Sequence, residues 1–305
     1  MEHSFVNKGI KYMIDPDYRF QINANLGLYD YLDDEPYLKR LYKAQFGKEL
    51  QLDNPQSFNE KLQWLKLNDR NPKYSLMVDK YAAKDYVSNI IGEEHIIPTL
   101  GIWDSFKDIN FNSLPNSFVL KCTHNSGQVY IIKDCKNYNL SAIQSEIDKA
   151  LKTDYYKKFR EWPYKNVKPR VLAESFISEG NNSLVDYKFY CFNGEPKFLY
   201  VSSGLDNHDT ANISFLTLDW EFAPFRRSDY APFVDLPPKP TMFNEMIDIA
   251  KALSSGLPFV RVDLYQSNSR VLFSELTFYP AAGFMLFSPE EWDYHIGKML
   301  ELPQL

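Results

Sequence analysis

Apolar and polar positions alternate along the chain with two different periods. Phe58, Leu62 and Leu65 recur at the i, i+4, i+7 spacing of a buried helical stripe. Ser57-Phe58-Asn59-Glu60 just ahead of them is a capping box, with Ser at the N-cap and Glu three residues on. A second helix is predicted over residues 74–91, ended by Gly92. The first fifty residues are weakly periodic, and only 40–46 reads as helical. Strand character begins at Ser117. Residues 118–123 are apolar with β-branched members, Asn125-Ser126-Gly127-Gln128 is turn chemistry, and 129–132 returns as a second strand. A helix is predicted over 141–152 and a strand over 170–177, broken at Gly180-Asn181-Asn182. Strands 186–192 and 196–202 join at Asn193-Gly194. A loop-rich, proline-bearing stretch covers 203–240. A helix over 241–254 and strands over 259–265 and 271–278 follow, and Ser288-Pro289-Glu290-Glu291 opens the last helix. The pattern is α+β with mainly antiparallel hairpins, not a run of βαβ units.

Composition narrows the function classes. At 305 residues the chain is long enough for about two structural units. Its net charge of -6 argues against a nucleic-acid partner, which calls for a basic footprint. No apolar run approaches the ~18 residues of a membrane span, and Met1-Glu2-His3-Ser4-Phe5 lacks the form of a signal peptide. Three cysteines without C-x-x-C spacing fit neither a disulfide framework nor a zinc knuckle, so a reducing cytoplasm is the expected setting.

Two hairpins carry the chemistry. In Phe259-Val260-Arg261-Val262-Asp263-Leu264-Tyr265, Arg261 and Asp263 share one strand face. In the following strand Phe273, Glu275 and Thr277 are expected to share a face. A symmetric closure through a three-residue loop, Asn268-Ser269-Arg270, sets Asp263 across from Glu275, with Cβ atoms ~4.5–5.5 Å apart. Two facing carboxylates inside apolar strands need a partner. One remedy is Mg²⁺, which takes one or two carboxylates and completes its shell with water and phosphates. The other is a salt bridge to Arg261 on a solvent-facing sheet. In the earlier hairpin Lys121 interrupts an apolar strand, which is unfavourable without an anion nearby. The turn behind it offers backbone N–H groups to a phosphate. The alternative is an edge strand whose lysine reaches water. Lys80 and Lys84, at i and i+4, read on spacing alone as a solvated helix face.

In this order the pieces resemble the ATP-grasp superfamily: a lysine at a helix, a strand lysine, a small Gly-containing loop, a strand glutamate, an Arg-x-Asp strand and a Glu-x-Thr strand. More narrowly, the chain is similar to the TupA-like ATP-grasp family, predicted to act in cell-surface polysaccharide synthesis. That likeness rests on residues 57–64, Val78-Asp79-Lys80-Tyr81-Ala82, 118–124, Arg160-Glu161-Trp162-Pro163-Tyr164, Asp186-Tyr187-Lys188-Phe189 and 275–280. It implies an α+β ATP-grasp fold in which two subdomains of mainly antiparallel sheet clamp a nucleotide. The expected divisions are an N-terminal mixed region (1–116), a small lid subdomain (117–180) and a C-terminal subdomain with the metal site (181–305).

The resemblance also implies roles. Lys80 and Lys121 would contact nucleotide phosphates, with Ser126 and Gly127 in the closing loop. Glu174 would lie near the adenine or ribose, and Asp186 beside the nucleotide. Arg261 would stabilise the transferring phosphoryl group, and Lys188, the second catalytic candidate, would form with Asp186 an acidic-x-basic pair beside the nucleotide. Asp263, Glu275 and Thr277 would hold Mg²⁺, Thr277 standing where the superfamily usually has Asn. Arg160, Trp162, Tyr164 and Arg226 are candidates for the acceptor site, Arg for a carboxylate and aromatics for a sugar face. The implied reaction is ATP-dependent amide formation through an acyl phosphate, joining an amino acid or amine to a uronic acid or similar sugar carboxylate, free or on a nucleotide- or lipid-linked glycan. It would take place in the cytoplasm, with a peripheral encounter at the inner membrane face allowed. The competing readings are a glycosyltransferase, for which Asp15-Pro16-Asp17 formally supplies a D-x-D motif, an ATP-grasp kinase, and a non-catalytic binding module.

Overall fold

The computed structural model describes residues 2–177, 184–204 and 211–304. The break predicted at Gly180-Asn181-Asn182 lies outside the described residues. The N-terminal region is helical where the sequence pattern was weak: α1 (Glu2–Ile14), α2 (Pro16–Asn25) and α3 (Asp34–Phe46). Tyrosines carry part of its apolar face, with Tyr37, Leu38, Leu41 and Tyr42 of α3 packed on Phe20 and Ala24 of α2. Asp15 caps α2, its carboxylate accepting from the N–H groups of Asp17 and Tyr18, and Asp17 pairs with Arg40 at 2.7 Å. Asp15-Pro16-Asp17 is therefore a helix start, with its aspartates already engaged.

The capping box forms as expected at the head of α4 (Phe58–Asn68). The helix predicted over 74–91 is instead two, α5 (Lys73–Val78) and α6 (Ala82–Ile91). Asp79 separates them, its carboxylate accepting from the backbone N–H of Tyr81 and Ala82. Lys80 thus sits in the bend between helices and not along a helix face.

Two antiparallel sheets follow. The first comprises β1 (Thr99–Trp103), β2 (Phe118–Cys122), β3 (Val129–Ile132) and β4 (Val171–Ser175) in the order β1-β4-β2-β3. Ile143, Ile147 and Ala150 of α7 (Leu140–Leu151) pack on Phe118, Leu120 and Cys122 of β2. Val119 and Lys121 lie on the other face, as the period of two requires. A short helix, α8 (Tyr155–Phe159), precedes β4 in the chain. The second sheet takes β5 (Asp186–Phe192), β6 (Glu195–Ser203), β7 (Asn212–Thr217), β9 (Phe259–Ser267) and β10 (Arg270–Thr277) in the order β10-β9-β5-β6-β7. A small ribbon pairs β8 (Arg226–Arg227) with β11 (Phe287–Ser288). One face of the larger sheet is covered by α9 (Phe243–Ser254), where Phe189 meets Phe243. The opposite face is aromatic at one end, with Phe192, Phe259 and Tyr190 around Phe58 of α4, and polar further along. The last helix is α10 (Trp292–Gly297). Among the described residues no helix is long and apolar enough to cross a membrane.

Helix α4 buries a second stripe beside its apolar one. Asn59, Gln63 and Lys66 follow the same i, i+4, i+7 spacing and are fully buried. Asn59 donates to Met285 O and accepts from Met285 N, both at 2.9 Å. Gln63 donates to the carbonyls of Ala282 and Gly283, and Lys66 to those of Phe159 and Ala282. These bonds pin the turn after β10, where Ala281 and Ala282 adopt positive φ. We expect Asn59→Ala to leave one buried N–H and one buried C=O of Met285 unpaired, at a cost of roughly 2–6 kcal/mol. A lowered urea-unfolding midpoint checks this, and a wild-type midpoint would refute it.

Candidate active site

The acidic hairpin closes through a two-residue turn, not three: Asn268 and Ser269 both have positive φ, and Ser267 pairs with Arg270. Counted from that turn, an unbroken register would set Asp263 opposite Ser274. A bulge between Phe273 and Glu275 inserts one residue and returns Glu275 to the position opposite Asp263. The bulge also turns Phe273 away from Glu275 and Thr277, onto the apolar face beside Leu264, where it is buried. The expectation that all three share a face is corrected accordingly.

On the polar face, adjacent strands bring Glu275, Asp263, Lys188 and Tyr200 into one row. Asp263 has no exposure. Arg261 grips it through Nε to Oδ1 at 2.7 Å and Nη2 to Oδ2 at 2.6 Å, and Lys188 Nζ donates to Oδ2 at 2.7 Å. Lys188 also donates to Asp186 at 3.0 Å. Arg261 Nη2 further reaches Thr277 Oγ1 at 3.0 Å and Glu275 Oε1 at 3.4 Å. Burial pushes the Asp263 carboxyl up, against the pull of Arg261 and Lys188. For Glu275 burial acts in the same sense, but Lys80, Lys188, Arg261 and Lys121 outweigh it and hold the group down to about 2. Its side chain is 30% exposed, with Lys80 Nζ 3.9 Å away.

The lysines arrive from the smaller sheet and the α5–α6 bend. Lys121 is on β2, a central strand, so the reading of an edge lysine reaching water does not hold. It pairs with Glu174 of β4 at 2.6 Å. Lys84, expected on a solvated face, is buried. It takes the other oxygen of Glu174 at 2.5 Å and donates to Ile97 O at 2.6 Å. Burial would raise the Glu174 carboxyl, but Lys121 and Lys84 prevail and lower it. Both Glu174 oxygens are therefore engaged by lysines. Lys80 Nζ donates to the carbonyl of Asn125, which joins it to the Ser126-Gly127 loop. Gly127 has φ +87. Among the described residues, the buried atoms His124 Nδ1 and Asn125 Oδ1 on this loop have no hydrogen-bond partner.

The donor set suits Mg²⁺ at Glu275, whose oxygens are loosely held. At Asp263 it suits only a shared ligand, because three N–H groups already reach that carboxylate. Among the described residues no three His, Cys, Asp or Glu side chains gather into a complete cage. A site of two carboxylates that leaves room for phosphates is the form Mg²⁺ commonly takes.

The acceptor candidates separate. Arg160 is only 2% exposed, donates to the carbonyls of Tyr29 and Leu32, and lies 4.2 Å over Tyr37, so it belongs to the N-terminal packing and not to the cleft. Trp162 is buried, its indole N–H donating to Asp69 O, which leaves no open face for a sugar. Tyr164 is half-buried, edge-on to Tyr155, and feels the charges of Glu275 and Arg261. Arg226 is exposed at the rim of a separate cavity of about 450 Å³ walled by Phe215, Phe222, Phe225 and Phe233. Its neighbour Arg227 points inward, paired with Asp229 at 2.6 Å and coupled to Tyr190 and Tyr200. Tyr155 was not singled out from the sequence, Lys84 was read only as part of a solvated face, and Glu161 only as a member of the 160–164 motif. They are polar or aromatic residues whose partners are distant in the chain.

The family described as TupA-like ATPgrasp matches residues 60–301. No curated protein matches the chain. Among solved structures, D-alanine–D-alanine ligase from Bacillus anthracis complexed with ATP is 14% identical, with 67% of this chain and 55% of that chain covered and a TM-score of 0.40. D-alanine–D-alanine ligase from Helicobacter pylori is 17% identical, with 81% and 70% covered and a TM-score of 0.39. The ATP-grasp ligase PsnB complexed with minimal precursor, Mg and ADP is 10% identical, with 72% and 57% covered and a TM-score of 0.38. The chain spans little more than half the length of the first of these. On the match over residues 60–301, the chain belongs to the TupA-like ATP-grasp family.

Proposed function

We propose that the protein is an ATP-dependent carboxylate–amine ligase using Mg²⁺, and that it joins an amino acid or other amine to a uronic acid or similar sugar carboxylate of a surface polysaccharide. The observation that carries the reading is the convergence of Lys80, Lys188 and Arg261 on the facing carboxylates Glu275 and Asp263. Membership of an ATP-grasp family supports ATP as the phosphoryl donor. The sugar substrate is supported by the family resemblance to polysaccharide synthesis, and the use of ATP supports a cytoplasmic reaction.

In this reading residues 117–180 and 181–305 clamp the nucleotide. Lys80 and Lys121 bind phosphate oxygens, and the Ser126-Gly127 loop covers them. Glu174 holds Lys121 in place, and Asp186 does the same for Lys188. Glu275 and Asp263, with Thr277 beside them, would hold Mg²⁺, which neutralises phosphate charge when bound. Arg261 is the fixed cation for the transferring phosphoryl group. The carboxylate oxygen bonds to the γ-phosphorus as the bond to ADP breaks. The amine nitrogen then bonds to the acyl carbon, inorganic phosphate leaves, and the nitrogen gives up its proton. Such transfer depends on positioning and charge stabilisation, which this cluster supplies. A glycosyltransferase is disfavoured by the engagement of Asp15 and Asp17 at a helix start.

An ADP-release screen of uronic acids against amino acids with Mg²⁺ tests the proposal. A ligase releases ADP and phosphate and forms amide only with both co-substrates present. A kinase leaves a phosphorylated product with one acceptor, and a glycosyltransferase leaves ATP intact. Glu275→Gln should cut turnover at least 100-fold with an unchanged circular dichroism spectrum, because the side chain is partly exposed and not tightly paired. Wild-type turnover in that variant would exclude the metal role. Asp263 is a poorer probe, since its removal strands two buried cations. Lys121→Met should raise the KM for ATP about tenfold or more, equivalent to about 1.4 kcal/mol. Steady-state kinetics would contradict the phosphate role if that KM were unchanged.

A further inference from the structure

Glu161 is a buried carboxylate, 5% exposed, to which the reaction as described gives no task. It follows Arg160, whose left-handed backbone (φ 55) turns the chain, so the two side chains serve different neighbourhoods. Arg160 is held among the N-terminal helices. Glu161 lies in the field of Glu275, Lys66, Tyr155, Tyr164 and Tyr279.

Lys66 is the obvious partner for a structural ion pair, but the geometry does not make one. Its Nζ already donates to Gln63 Oε1 at 3.0 Å, Phe159 O at 2.9 Å and Ala282 O at 2.7 Å, which uses all three N–H groups of an ammonium. Among the described residues no Lys or Arg nitrogen is recorded within 4 Å of the Glu161 carboxylate. Burial pushes Glu161 up to about 7, against the pull of Lys66. The Tyr164 N–H donates to the Glu161 carbonyl at 3.1 Å, and the Tyr164 ring meets Tyr155 edge to face at 4.8 Å, both rings half-buried. The Tyr155 and Tyr164 phenols both feel the charge of Glu275, the residue proposed to hold Mg²⁺.

A buried carboxylate without a close cation, bordered by aromatic rings, is the chemistry that receives an ammonium group. We infer that Glu161, with Tyr155 and Tyr164, forms the binding site for the amine co-substrate in its protonated form. This rests on the ligase reading for its place in the reaction. R–NH₃⁺ docks against the carboxylate and gives it one proton. The freed lone pair forms the C–N bond to the acyl phosphate, and the C–O bond to phosphate breaks. The second proton leaves with inorganic phosphate, and Glu161 returns its own proton to water.

Two measurements separate this inference from the ligase reading. The first is binding alone. Methylammonium chloride at 50 mM, against NaCl at equal ionic strength, should raise the melting temperature of the wild-type protein but not of Glu161→Gln. Absence of that shift in the wild type, or its persistence in the variant, overturns the amine site whatever the enzyme does. The second uses hydroxylamine, which is largely neutral at pH 7 and traps an acyl phosphate as hydroxamate without an ammonium site. With ATP, Mg²⁺ and the active uronic acid, Glu161→Gln should keep hydroxamate formation within about threefold of wild type while amide formation falls at least 100-fold. Equal losses in both would overturn the amine role in favour of a structural one. No hydroxamate from the wild-type protein with any uronic acid would sink the ligase reading itself and leave the ammonium-binding result to stand alone.

Discussion

Asp263 is gripped from two sides, by the guanidinium of Arg261 and the ammonium of Lys188, at a position with no solvent exposure. Removing such charges from water costs several kcal/mol per ion, and only close pairing with further hydrogen bonds offsets it. The pairing here does not stop at one bridge. Lys188 reaches Asp186, Arg261 reaches Thr277 and Glu275, Glu275 faces Lys80, and Glu174 joins Lys84 to Lys121. Five cations stand against four carboxylates, so the cluster is close to self-neutralised with a small positive excess. That balance lets the two sheets hold a cleft of charged groups together, and the excess favours a polyanion in the space they face.

The layers around the cluster make this possible. Phe58 on one side and α9 on the other enclose the apolar part of the larger sheet. The buried polar stripe of α4 fixes the chain immediately after β10, the strand that carries Glu275 and Thr277. A shift there would move the carboxylate relative to Arg261. The stability of α4 and the electrostatics of the site are therefore linked through a few backbone carbonyls.

Part of this was legible in the sequence. A lysine inside an apolar strand and an Arg-x-Asp strand beside a Glu-x-Thr strand are local signals, and both led to the cluster. The pairing of Asp263 with Glu275 was reached through a wrong turn: the two-residue turn removes one residue from the loop, and the bulge before Glu275 adds one back. Periodicity cannot detect that compensation, because a bulge is set by pairing between strands. Asn59, Gln63, Lys66 and Lys84 were illegible for a related reason. Each polar side chain is buried because its partner, Met285, Ala282, Ile97 or Glu174, comes from elsewhere in the chain. A pattern of hydrophobic and polar positions reads such residues as exposed.

The Arg160-Glu161-Trp162-Pro163-Tyr164 segment shows how a single motif can divide its work. The left-handed turn at Arg160 separates its side chain from that of Glu161, and the indole of Trp162 anchors the stretch to Asp69. The Arg160 side chain is held by carbonyls of residues 29 and 32, which precede the span shared with the family. The N-terminal region thus bears on this segment through one side chain: carbonyls between α2 and α3 hold Arg160, and the left-handed turn there sets the course of the chain into Glu161 and Tyr164. Those contacts end at the 160–164 segment and leave Lys121, Lys188, Arg261 and the facing carboxylates untouched.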